Sequence, residues 1–95
     1  MKLSDSKKEK ICEHILGILF LNSPKPLFTF EIAKETARDE EFIKSLLIDL
    51  KKKGLIQEIK KNSEGKDYLK RSRWVLSDKT YQIYKKKQES LINNY

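Results

Sequence analysis

Apolar residues recur every three or four positions near the start of the chain, and that spacing predicts a helix over residues 6–21. Ile11, Ile15, Ile18 and Leu19 form its stripe, and Cys12, Leu16 and Phe20 widen it. Ser6 followed by Glu9 has the spacing of a capping box. Asn22-Ser23-Pro24-Lys25-Pro26 stops the helix, because proline disfavours helix in the residue before it. Thr29 is placed to cap a short second helix, about 30–37, with Ile32, Ala33 and Thr36 facing inward. Arg38-Asp39 is the break. Asp39 can then cap a third helix, 40–53. Glu40 and Glu41 open that helix and Lys51, Lys52 and Lys53 close it, an order that suits the helix dipole at both ends. Phe42, Ile43, Leu46, Leu47 and Leu50 are its apolar face, and Gly54 stands where a left-handed cap belongs.

After Gly54 the period drops from 3.6 to 2. Leu55 to Lys61 reads as a strand, Asn62 to Asp67 as a turn, and Tyr68 to Leu76 as the return strand. Trp74 and Leu76 share one face of that strand, and Arg71 and Arg73 share the other. Ser77 or Asp78 caps a last helix, 79–93. The expected architecture is therefore mainly α with a β-hairpin, in the order helix, helix, helix, hairpin, helix, as one domain over 1–95.

Composition removes several alternatives. The longest apolar run, Ile15 to Leu21, is far shorter than the ~18 residues a membrane span needs. The first ten residues, MKLSDSKKEK, are polar, with no signal-peptide core behind them. A single cysteine cannot build an internal disulfide, so a reducing, cytoplasmic setting is expected. The net charge is +7, and it is uneven: residues 55–76 carry +3 and 77–95 carry +2. A basic patch of this kind suits a polyanion.

Two short helices joined by a tight turn, then Leu47, Leu50, Gly54, Leu55 and Ile56 leading into a basic hairpin, resemble the winged helix-turn-helix fold. The segment TFEIAKETARDEEFIKSLLIDLKKKGLI is similar to the DNA-binding core of the MarR and PadR regulator families, and to small winged-helix proteins of archaeal plasmids and viruses. The resemblance spans about residues 7–90. It departs where relatives carry a glycine entering the last helix; here the run is Leu76-Ser77-Asp78-Lys79-Thr80. It implies a recognition-helix region at 38–54, a wing at 55–76 and a dimerisation helix at 78–93. It also implies a homodimer on double-stranded DNA, at the nucleoid, as a transcription regulator or a plasmid partition or DNA-coating factor. The alternative is a winged helix whose acidic recognition helix meets another protein.

On the recognition helix, Lys44 and Ser45 are the expected base or phosphate contacts, with Ile48 on the same exposed face and Arg38 in the turn before. Asp39, Glu40 and Glu41 repel phosphates. Either they serve only the helix end, or Glu41 accepts from a cytosine amino group. Lys51 and Lys52 either reach the flanking backbone or only complement the dipole. The wing brings together Lys60, Lys61, Lys66, Lys70, Arg71 and Arg73. Each phosphate neutralised steepens the salt dependence of binding by about 0.9 in log–log slope.

In the last helix, Ser77, Tyr81, Tyr84, Gln88, Leu91 and Tyr95 fall at alternating spacings of four and three, a short heptad seam. Tyr81, Tyr84, Gln88, Leu91 and Tyr95 are the expected dimer contacts, joined by Leu16, Leu19 and Phe20 of the first helix. Cys12 reads as a small buried apolar residue or as an intermolecular disulfide partner. Catalysis finds no support: Cys12 and His14 are two apart on a helix and point apart, and there is no second histidine, no cysteine pair and no glycine-rich phosphate loop. No metal, cofactor or small-molecule ligand is expected.

Overall fold

The computed structural model describes residues 5–60 and 71–93. The elements run α1 (Asp5–Asn22), β1 (Leu27–Phe28), α2 (Thr29–Thr36), α3 (Glu40–Lys52), β2 (Ile56–Ile59), β3 (Arg73–Leu76) and α4 (Asp78–Asn93). The helix-helix-helix-hairpin-helix order expected from the periodicity is present. One element is additional: β1, a two-residue strand that joins β2 and β3 in an antiparallel sheet of order β1-β3-β2.

The apolar stripes of α1, α2 and α3 meet over the inner face of this sheet. Ile15, Leu19, Ile32, Ile43 and Leu47 have 0% exposure, and burying a side chain of this size contributes about 1.5–3 kcal/mol. Trp74 sits in the same cluster, 1% exposed, between Leu27 on β1 and Glu58 on β2. Its indole N–H donates to the Thr29 hydroxyl at 2.9 Å. A buried indole needs such a partner, and that bond fixes the start of α2 to the central strand.

Helix ends are closed by side chains and by two left-handed turns. Asn22 Nδ2 donates to the Ile18 carbonyl and Ser23 Oγ to the Leu19 carbonyl, both at 2.8 Å, satisfying orphan acceptors at the end of α1. Asp39 caps α3 as expected, accepting from the Phe42 amide at 3.1 Å. Ala37 closes α2 at φ 53 and Gly54 follows α3 at φ 76. Each turn makes the paired bonds of a Schellman motif. Ala37 N and Arg38 N donate to the Lys34 and Ala33 carbonyls, and Gly54 N and Leu55 N donate to those of Lys51 and Leu50. The Ser77 hydroxyl accepts from the Thr80 amide and so caps α4.

Several expectations need correction. Ser6 lies within α1 rather than in front of it. Thr29 is the first residue of α2, not its cap, because its hydroxyl is taken by Trp74. The Glu31 carboxylate instead accepts from the Phe28 amide at 3.3 Å. The hairpin strands are shorter than their sequence pattern. Leu55 belongs to the cap of α3, and Arg71 and Ser72 precede β3.

Leu16 and Leu19 were expected to face a second chain. They are 8% and 0% exposed within this one, part of its own core, and have almost no surface to offer. The α1 stripe is wide enough that the sheet and α2 take the part assigned to a partner.

Candidate nucleic-acid interface

The outward side of α3 is built by default. Ile43, Leu46, Leu47 and Leu50 turn in, which leaves Glu41, Lys44, Ser45, Ile48 and Lys52 exposed on the opposite side. Arg38 is exposed in the turn before the helix. Ser45 Oγ donates to the Phe42 carbonyl at 2.6 Å, so its proton is spent inside the helix and its oxygen remains as an acceptor. Ile48, 39% exposed, adds an apolar contact to this face. Glu40 and Glu41 are exposed in the first turn, where the helix dipole favours them.

The wing cations do not form one patch among the described residues. The sheet divides them. Glu58 pairs in register with Trp74 and so lies on the inner face of the sheet. Lys51, from the last turn of α3, reaches its carboxylate at 2.8 Å, and Lys60 approaches to 3.9 Å. Ser72 donates to the other carboxylate oxygen. Burial alone would raise the pKa of this carboxyl. The hydrogen bonds from Lys51 and Ser72, with the charges of Lys51 and Lys60, outweigh burial and hold it below the ordinary glutamate range. Glu58 thereby joins α3, β2 and the approach to β3, and it neutralises part of the charge expected to meet a polyanion.

Arg71 and Arg73 take a different environment. Phe28 and Arg73 are register partners on the outer face of the sheet. The Arg73 guanidinium carbon lies 6.0 Å from the centre of the Phe28 ring, and that of Arg71 lies 5.3 Å from the centre of Phe30. The two rings stack on each other with centroids 5.7 Å apart and planes 14° apart. Sequence spacing did not single out Phe28 or Phe30. Lys61, Lys66 and Lys70 lie outside the described residues, as do Tyr68 and Tyr95.

Along α4 the heptad seam divides in two. Tyr81 and Tyr84 turn toward α1, each packing against the Phe20 ring at 5.5 and 5.6 Å between centroids. From Lys85 to Leu91 every residue is exposed, Gln88 included, and Leu91 is 65% exposed. Ile83 is 45% exposed on the neighbouring side of the helix.

Cys12 is half-buried and lines a groove of about 400 Å3 between α1 and the end of α3, floored by Leu16, Leu46 and Leu50. Burial pushes its thiol pKa up against the opposing charge of Lys53, with Asp49 and Glu9 adding to the rise. The thiol is therefore protonated and weakly nucleophilic at neutral pH. His14 is exposed on α1. No helix among the described residues is long and apolar enough to cross a membrane.

No protein-family model matches the chain, and no curated protein matches its sequence. Solved structures do match. The fold is similar to that in the Staphylococcus aureus MepR–DNA complex, with a TM-score of 0.70 at 22% identity, over 94% of this chain and 73% of that one. It is also similar to S. aureus MepR described as a transcription regulator of the multidrug efflux pump MepA, at TM-score 0.63 and 21% identity, over 96% and 72% of the two chains. A point mutant of Lactococcus lactis ZitR aligns at TM-score 0.66 and 20% identity, over 100% of this chain and 62% of that one. The chain has the winged-helix fold of these proteins.

Proposed function

We propose that this chain is a double-stranded DNA-binding transcription regulator that works as a homodimer. The observation that carries the reading is the alignment of almost the whole chain on MepR solved in complex with DNA. The surface agrees with it. The second helix of the helix-turn-helix pair, α3, presents Glu41, Lys44, Ser45 and Ile48 outward, the position from which such a helix reads a major groove. Arg38 before it and Lys52 behind it flank that face with positive charge, and Arg71 and Arg73 supply the wing. Lys51 and Lys60 contribute less than their number implies, because Glu58 holds them.

Sequence discrimination is assigned to Lys44, Ser45 and Glu41, and affinity mainly to the arginines. The acids at the head of α3 weaken phosphate attraction there, so the grip is weighted toward the wing. Dimerisation is assigned to the outer turns of α4 through Gln88 and Leu91, where the helix has left its own core. Tyr81 and Tyr84 serve the protomer first. The protein would act in the cytoplasm on the nucleoid, with no catalytic role.

Fluorescence anisotropy of a labelled duplex tests the reading. The wild type is expected to bind, and Arg71→Ala/Arg73→Ala, checked by circular dichroism to be folded at the assay temperature, to bind markedly more weakly. Equal binding by the two proteins would remove the wing from the interface.

A further inference from the structure

Among the described residues, two kinds of partner hold the cations in and beside this hairpin, and the difference points to what each cation is for. Lys51 and Lys60 converge on the Glu58 carboxylate, which cancels charge. Arg71 lies against the face of Phe30, which cancels none. Phe30 is 41% exposed in the first turn of α2, an unusual outlay of aromatic surface, and its ring is backed by the parallel ring of Phe28 from β1. Phe28 is in turn fixed in the sheet by its pairing with β3.

We propose that Phe30, supported by Phe28, is a positioning residue that holds the Arg71 guanidinium ready for a DNA phosphate; this rests on the DNA-binding reading above. A ring face attracts the guanidinium without offering it a carboxylate or other oxygen acceptor, so its N–H donors are not committed to an anionic partner. The donors around its edge keep the fork geometry that matches a phosphate in two parallel bonds. A flexible arginine loses rotamer freedom when it binds, and one already held over a ring loses less. A carboxylate partner would also order the side chain, but it would place a negative charge beside the phosphate. The aromatic stack orders the cation without that repulsion.

The test is duplex binding at low salt by anisotropy, for the wild type, Phe30→Leu, Phe30→Trp, Arg71→Ala and the Phe30→Leu/Arg71→Ala pair. Leucine keeps an apolar cover on Phe28 and removes the ring face, and a melting curve for each variant shows that it is folded at the assay temperature. Phe30→Leu is expected to bind about two- to five-fold more weakly, the size of an exposed cation–π contact. Phe30→Trp restores affinity. In the Arg71→Ala background Phe30→Leu changes nothing further, because its target is gone. Wild-type affinity in Phe30→Leu, or equal losses in both backgrounds, would overturn the positioning role and leave the DNA-binding reading standing. Failure of the wild type itself to bind duplex would overturn both.

Discussion

Ala37 and Gly54 end the two helices of the helix-turn-helix pair in nearly the same backbone shape, one with a side chain and one without. Ala37 stands at φ 53, ψ 42, and Gly54 at φ 76. The left-handed conformation costs a residue with a Cβ about 1–2 kcal/mol. Glycine escapes that cost but gives up about 0.4–1 kcal/mol through the greater freedom of its unfolded chain. The net for Ala37→Gly is then a gain of about 0.5–1 kcal/mol, and for Gly54→Ala a loss of similar size. Neither estimate needs a packing correction. Ala37 is exposed, and a Cβ built on Gly54 meets nothing within 4 Å. The amide bonds of both Schellman turns are kept. For a domain of this length, that corresponds to a rise of about 2–8 °C in one variant and a matching fall in the other. Thermal denaturation followed by circular dichroism measures both, and the double variant should melt close to the wild type, because the sites share no partner. A fall in melting temperature for Ala37→Gly, or no fall for Gly54→Ala, would refute the left-handed turns.

Three further substitutions, at Glu58, Trp74 and Leu91, have defined outcomes. Glu58→Gln should cost about 0.5–1 kcal/mol at neutral pH, the scale of an ion pair to a half-exposed lysine. Because the Glu58 carboxyl ionises more readily folded than unfolded, that increment is present above the ordinary glutamate range and disappears as pH falls through the lower folded pKa. The melting difference between wild type and variant should therefore close on acidification, and a difference that widened would contradict the network. The same substitution releases Lys51 and Lys60, so the salt slope of duplex binding should steepen by about one per cation that reaches a phosphate. Trp74→Phe leaves Thr29 without its donor and a gap at a site 1% exposed, for a loss of about 2–3 kcal/mol in denaturant unfolding; a loss under ~0.5 kcal/mol would remove Trp74 from the centre of the core. Leu91→Glu, on the exposed end of α4, should shift sedimentation from dimer to monomer with helicity unchanged; a persistent dimer would place the interface elsewhere.

Which parts of this were legible before the structure depended on range. The four helices were legible because each carries its own stripe and its own stop: Pro24 after α1, Asp39 before α3, Gly54 behind it and Ser77 before α4. The alternation that sends Trp74 in and Arg73 out was legible for the same local reason. Strand β1 was not. Two residues have no period, and Leu27-Phe28 is a strand only because Trp74 and Arg73 lie beside it. The long-range Trp74–Thr29 bond took from Thr29 the capping role its position suggested. Leu16 and Leu19 went to the wrong partner because periodicity shows that a face is apolar, not which surface covers it. Likewise, the wing cations could be counted in the sequence, but the division of Lys60 from Arg71 and Arg73, one toward Glu58 and two toward the phenylalanines, follows from strand register.

The central claim is that the grip on DNA is electrostatic and carried by a few defined cations, and the salt dependence of duplex affinity tests it most directly. The logarithm of the affinity should fall linearly with the logarithm of salt concentration, and Arg71→Ala/Arg73→Ala should flatten that slope by about two, near 0.9 for each phosphate contact removed. A slope near zero in the wild type, or one unchanged in the double variant, would contradict the account.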